Sequence, residues 1–333
     1  MSLVSFILPC FNSAEYLQQT IDSIFAQQYT HWECIAIDDG SMDLTLSILQ
    51  QAAAQDARFK IISRGNRGLI ASLNEGIAAA QGEWIARIDA DDICLPQRLT
   101  RQLAYMAETG ADVCGSWIEF IGERSGQWQT PQTDAGIRIA LLFNTPLAHP
   151  SILARADILK ANPYPLDAPH AEDYSLWCIL AAKGVRFANV PEVLLQYRCH
   201  AGQVTQAKRA ALRITAQRVR EQYAQTALPV PLQPLAARFA ELAEPGRIIN
   251  RDEWHWMRDF FEHLLQLCPE SRAVLGEIWL DTLQRTRGVS VRDFAGAARL
   301  YLRLPPPAAE HKKLRKQMVR LLVSDRVWRS IKR

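Results

Sequence analysis

The feature that most constrains this chain is an alternation of two periodicities across its first 200 residues, clearest over the first 110. The apolar runs "LVSFILP", "WECIAIDDG", "FKIIS" and "EWIARIDA" read as buried strands, and each is followed by a stretch with helical spacing. In "NSAEYLQQTIDSIFAQ", Ala14, Leu17, Ile21 and Ile24 share one stripe, with Asn12 and Glu15 spaced as a capping box. "SMDLTLSILQQAAA" is a helix that Ser41 can cap, "GLIASLNEGIAAAQG" one that Gly82 stops, and "PQRLTRQLAYMAETG" one that Pro96 opens. This β-α-β-α order implies an α/β fold with a largely parallel sheet covered by helices. Ligands of such open sheets bind beyond the carboxyl ends of the strands. The stretches "PCFN", "DDGS" and "DADD" all fall there.

Beyond residue 110 the pattern loosens. The expected elements are a strand "DVCGSWIEFIG", a helix near 155–161, a helix "EDYSLWCILAAKG" and a strand pair "VRFANV" and "VLLQYRCH". From Val204 the spacing is helical, with Leu212, Ala216, Val219 and Tyr223 on one face. Two proline clusters, 228–234 and 304–307, mark linkers. The expected organisation is therefore a domain over 1–227, a helical subdomain over 235–303 and a basic amphipathic helix over 308–333.

Composition excludes several classes. The 333 residues are 48% hydrophobic and 22% charged, with a formal net charge of only +3, so nothing global indicates nucleic acid. Seven cysteines without CxxC spacing, mostly in apolar surroundings, are expected to be buried reduced thiols. "MSLVSFILPCFN" lacks a basic region and carries only a short apolar run, and no stretch reaches the ~20 apolar residues of a membrane span. A cytoplasmic location, free or on the inner face of the membrane, is the expectation.

The acidic run at 89–92 carries the most chemistry. In an extended strand Asp89 and Asp91 project to one side. Two carboxylates so close repel one another unless a cation, a proton or hydrogen-bond donors intervene. Mg²⁺ and Mn²⁺ favour such oxygens and often take substrate phosphates as further ligands. The competing reading is a solvated turn in which Asp92 caps the next helix. Glu172 and Asp173 in "HAEDYSLW" open a helix, where its dipole also favours acids. Arg198 and His200 lie on one face at the end of "LLQYRCH".

Taken in order, "VSFILPCFNSAEYLQQTIDSIFAQQY", "ECIAIDDGSMDLT", "NRGLIASLNEGI", "GEWIARIDADDICLPQRL", "HAEDYSLW" and "LLQYRCH" resemble the family 2 glycosyltransferases of the GT-A fold, over roughly residues 3–205. The resemblance implies a Rossmann-like sheet flanked by helices, followed here by a helical region of its own, and transfer of a sugar from a nucleotide-sugar with inversion. It implies that Pro9, Phe11 and Glu15 line the base and ribose pocket. Asp39 would accept the N3–H of uracil (thymine offers the same donor), and Arg67 would lie near the base and diphosphate. Within Asp89, Ala90 and Asp91, Asp89 is expected near the ribose and phosphate and Asp91 on a divalent cation, Mn²⁺ or Mg²⁺. His200 would complete that metal site, Asp173 would act as general base, and Glu172 would stand where the acceptor is positioned. Processive members carry Q-x-x-R-W, whereas this chain has "QYRCH", which points to transfer of a single sugar to a glycan or lipid-linked acceptor. Bacterial surface polysaccharide, lipopolysaccharide or capsule, is the expected setting. A nucleotidyltransferase would open with a Gly-rich basic loop after the first strand, and an aspartyl phosphatase would carry its D-x-D on that strand. A non-catalytic sugar-nucleotide-binding or scaffold module remains the alternative from another class.

The C-terminal stretch 310–333 holds nine Lys or Arg against Glu310 and Asp325, a local charge of +7 (nine minus two). Leu314, Met318, Leu321, Trp328 and Ile331 fall near one helical face, ringed by Lys312, Lys313, Arg315, Lys316 and Arg320. Such a helix either lies in the headgroup layer of an anionic membrane or packs its stripe on the protein. In the first case, deletion of residues 308–333 releases the protein from anionic liposomes at low salt and leaves donor hydrolysis nearly unchanged. In the second, the intact protein never floats with the liposomes.

Overall fold

The computed structural model describes residues 2–200 and 209–287; the expected helix at 308–333 lies outside them, as do residues 288–303 of the expected subdomain. Contacts divide the chain into two units, one built from 1–137 and 145–219, the other from 138–144 and the chain from Arg220 onward.

The first unit opens as the periodicity predicts. Strands β1 (Val4–Cys10), β2 (Trp32–Asp38), β3 (Phe59–Ser63) and β4 (Trp84–Arg87) alternate with helices α1 (Leu17–Phe25), α2 (Thr45–Gln55) and α3 (Leu69–Ala79). The order β3-β2-β1-β4 is parallel throughout. All seven positions of β2 are buried, as both faces of a helix-covered sheet require. Glu33, one of its two buried acids, is matched by Ser5 Oγ at 2.6 Å, Gln81 N–H at 2.7 Å and Lys60 Nζ at 2.6 Å.

Beyond β4 the sheet is mixed. Helix α4 (Arg98–Thr109) leads into β6 (Val113–Gly122), against which the short β7 (Gly126–Trp128) folds back. The brief β8 (Leu153–Arg155) runs antiparallel to both β4 and β6, and β9 (Phe187–Cys199) runs parallel to β6. Helices α5 (Asp134–Leu141), α6 (Ala156–Ala161) and α7 (Glu172–Ala182) lie between these strands in sequence. A two-residue strand, β5 (Ile93–Cys94), pairs antiparallel with Gln196 and Leu195 of β9. That pairing carries the end of β9 back alongside the acidic run.

The second unit is helical: α8 (Arg209–Ala227, which starts in the first unit), α9 (Ala236–Leu242), α10 (Arg251–Leu267) and α11 (Arg272–Arg285). Asn250 and Glu253 form a capping box at the head of α10. Buried Arg220 donates to the carbonyls of Phe143 and Ala240, and the Phe143 ring lies 5.1 Å from Phe239 and 5.8 Å from Phe261. The proline cluster at 228–234 is a 3-10 turn over Val230–Leu235 that buries Leu232.

Several local expectations give way to tertiary contacts. Asn12 adopts φ 49° and caps nothing: its Oδ1 accepts from Met42 N–H at 2.9 Å while its own N–H donates to Ser41 Oγ at 3.0 Å. Both Asn12 and Ser41 thus join the loops after β1 and β2, and α1 starts only at Leu17. "VRFANV" and "VLLQYRC" are one strand with a bulge opposite Ser116–Ile118, because Pro191 has no N–H to give the ladder yet the pairing resumes beyond it. Asp89 and Asp91 lie in a turn after β4, closed by Asp92 N–H to Asp89 C=O at 3.3 Å, rather than in the strand. Gly82 does not stop α3, which ends at Ala80 in extended conformation. A Cβ on Gly82 would stand 2.6 Å from Leu3 C=O and 2.8 Å from Ser5 N, both backbone. Gly82→Ala is therefore expected to cost about 1–3 kcal/mol, measured by urea unfolding; a neutral substitution would mean the close approach is unimportant.

Candidate active site

The loops after β1, β2 and β4 meet at the carboxyl rim of the parallel strands, joined by the end of β9. Asp39 is buried and its carboxylate pins the 64–68 loop. Oδ1 accepts from Arg67 N–H at 2.8 Å and from the Arg64 guanidinium, and Oδ2 accepts from Gly68 N–H at 2.8 Å. A carboxylate oxygen takes two donors, so one acceptor position on Oδ2 is left for a ligand N–H. Gly40, at φ 77°, permits this approach, since a Cβ there would meet Asn66 N at 2.8 Å. Phe11 is half exposed, Pro9 is partly buried, and Glu15 and the Arg67 side chain face solvent. Arg64, which sequence reading passed over, is the more enclosed cation, paired with both Asp39 and Glu75.

At the acidic turn, one ligand oxygen from each of Asp89, Asp91 and Asp92 lies within 4.8 Å of the others. The positive group beside them is Arg87, buried at the end of β4, whose Nη1 donates to Asp89 Oδ2 at 2.6 Å and whose Nη2 pairs with Oδ1. Its spacing of two from Asp89 was the available signal, because side chains two apart share a face of an extended chain. Burial, and then Asp91, push the Asp89 carboxyl up to about 6 against the pull of Arg87. Asp92 is raised by burial and by its acidic neighbours, and its Oδ2 is enclosed without a protein partner. The Ala90 side chain packs into the core, which leaves only its backbone for a ligand.

Opposite the turn, His200 Nε2 lies 3.0 Å from Asp91 Oδ2, although 109 positions separate the two residues. The structure thus brings Asp91 and His200 together. Crowded carboxylates with an imidazole nitrogen beside them fit a hard divalent cation such as Mn²⁺ or Mg²⁺. Such an ion would offset the mutual repulsion that Arg87 offsets only in part.

The head of α7 supplies two further acids. Glu172 is buried and raised by that burial. Asp173 is pushed up to about 7, first by burial and then by the charge of Glu172, while its Oδ1 accepts from Tyr174 N–H at 2.7 Å. Arg87 pulls in the opposite direction on Asp89, Asp92, Glu172 and Asp173 alike. His149 and Tyr164, also absent from the sequence reading, join through a 2.7 Å contact between Nε2 and the phenol oxygen, and burial, with Arg87 second, holds His149 well below the usual imidazole range. A carboxylate with a pKa near neutrality beside a cation-competent cluster suits proton removal from a hydroxyl.

Comparison with known proteins identifies the family and the fold. The profile of Glycosyl transferase family 2 matches residues 5–159. An uncharacterised glycosyltransferase of Haemophilus influenzae is 34% identical over 235 residues, covering 66% of this chain and 72% of that protein. The O-antigen biosynthesis glycosyltransferase WbnJ of Escherichia coli is 31% identical, covering 60% of this chain and 81% of its own length. Among solved structures, TarS 1-349 of S. aureus in complex with UDP-GlcNAc superposes with a TM-score of 0.57 at 16% identity, covering 89% of this chain and 83% of that one. With the sheet order, the helical region and these relatives in agreement, the chain belongs to the family 2 glycosyltransferases and has their GT-A fold.

Proposed function

We propose that the protein moves one sugar from a nucleotide-sugar, a UDP-sugar in our reading, to a hydroxyl of a glycan or lipid-linked acceptor, with inversion at the anomeric carbon. The observation that carries this reading is the meeting of Asp91 and His200 near a carboxylate raised to about 7. The O-antigen relative supports bacterial surface polysaccharide as the setting.

In this reading the free acceptor position of Asp39 takes the N3–H of the base, and Pro9, Phe11 and Glu15 flank base and ribose. Arg67 faces the diphosphate, and Asp89 and the Ala90 backbone lie along the ribose and phosphate. Asp91 and His200 hold the divalent cation, which supplies Lewis-acid neutralisation of the departing diphosphate. Glu172 positions the acceptor hydroxyl. Asp173 accepts its proton as the oxygen attacks the anomeric carbon from the side opposite the leaving diphosphate. None of the described helices is long and apolar enough to cross a membrane, and in this reading the basic segment 308–333 holds the enzyme at the inner membrane face, beside a lipid-linked acceptor.

Release of UDP from a panel of nucleotide-sugars, with and without Mn²⁺, tests the assignment directly. Asp173→Asn keeps the shape of the site and is expected to lower turnover by about 10²–10⁴-fold with little change in donor binding. Normal transfer by that variant removes Asp173 from the mechanism. The base works only as the carboxylate, so turnover is expected to fall as pH drops below about 7 and to level off above it. A profile flat from pH 5 to 8 contradicts that role. Asp91→Ala and His200→Ala are expected to weaken metal-dependent binding of UDP, and EDTA to abolish transfer; full activity in chelator overturns the metal assignment.

A further inference from the structure

Asp92 differs from its two acidic neighbours. It is 1% exposed, against 27% for the side chains of Asp89 and Asp91. Its Oδ1 accepts from the backbone N–H of Arg198 at 2.8 Å. Its carbonyl accepts from Thr20 Oγ1 at 2.8 Å, and that hydroxyl is itself buried on α1. Arg198 returns the tie. Its Nε donates to Asp91 C=O at 2.9 Å and its Nη2 to Gln19 Oε1 at 2.7 Å. Its guanidinium carbon stands 4.4 Å from the centre of the Tyr16 ring, which lies 5.2 Å from the His200 ring. The start of α1, the acidic turn and the end of β9 are joined at one knot.

We propose that Asp92 is a positioning residue that sets the register of the end of β9, through Arg198 N–H, so that His200 reaches the cation held by Asp91. Asp92 is not itself a ligand. The inference rests on the metal assignment made above. A ligand that shares its ion with a diphosphate must face the opening, as Asp89 and Asp91 do, whereas Asp92 is enclosed and has one oxygen committed to the strand. His200 follows Arg198 by two positions, so fixing the Arg198 backbone decides which side chain faces the turn. A slip of one residue would present Cys199 instead. An asparagine at 92 keeps the oxygen that accepts from Arg198 N–H. A leucine keeps no acceptor.

The test is calorimetric titration of Mn²⁺ into the full chain saturated with UDP, paired with thermal unfolding. Asp92→Leu is expected to weaken Mn²⁺ by about 10–100-fold, the usual loss when a group that orients a ligand is removed. Asp92→Asn is expected to stay within about threefold of the native protein, well short of the tenfold that marks loss of such a group. Equal losses in both variants make Asp92 a ligand and overturn the proposal. Native affinity in Asp92→Leu with only a lower unfolding temperature shows a purely structural role and also overturns it. Should the leucine variant not fold, Thr20→Val and Arg198→Ala cut the same knot from its other strands. Each must weaken Mn²⁺ several-fold, and native affinity in either overturns the proposal. A native protein that binds no Mn²⁺ and transfers sugar in EDTA fails at the metal assignment itself, an outcome read before any variant is compared.

Discussion

The acidic half of the rim depends on one buried guanidinium. Arg87 ends β4 inside the protein and forms a two-pronged pair with Asp89, while Asp92, Glu172 and Asp173 also feel its charge. A buried ion pair adds little net stability compared with an apolar pair, yet removing one partner strands the other, at a cost of about 3–5 kcal/mol. Arg87 lets a fold tolerate four carboxylates at the mouth of its sheet before any ligand arrives. It does not neutralise them all: Asp89 stays raised to about 6 and Asp173 to about 7. The residual repulsion is stored where a cation and a proton acceptor are useful, a local cost of the kind functional sites carry.

The second constraint is register. Residues from both ends of the first unit meet because two residues after the acidic turn pair with β9. The bulge at Pro191 lies upstream of that pairing, so β9 can leave the ladder of β6, re-enter it and still deliver Arg198 and His200 to the turn. Parallel strands β1, β2 and β4 then need only place their loops at a common edge.

Much of this was legible in the residues. The strand–helix alternation predicts the four parallel strands, because each period is local and each buried face repeats it. Asp91 and His200 could be paired only through the family resemblance, since no local pattern links positions so far apart. Helix caps were misread at Asn12, Ser41 and Gly82 for one shared reason: each of those residues makes its contacts with a different loop or strand, and short polar or glycine signals do not say which partner they serve. Arg64 and Arg87 look like ordinary strand-end charges in sequence. Burial and pairing with Asp39 distinguish Arg64, and for Arg87 the spacing of two from Asp89 is the one local hint of the pair that burial completes. Tyr164 and His149 carry no spacing signal at all, because they meet across separate loops.

The seven residues 138–144 lie between two stretches of the sugar-transferring unit, yet they belong to the helical one, where Phe143 sits against Phe239 and Phe261 and its carbonyl receives Arg220. The helical unit is therefore spliced into the chain at two places and is not a tail hung on its end. A chimera that exchanged only the sequence after Arg220 for that of a relative would leave an orphaned phenylalanine behind in the enzyme and an unfilled aromatic socket in the graft. Interchange of the helical region between family members, in the laboratory or over evolution, has to move both pieces as a matched set.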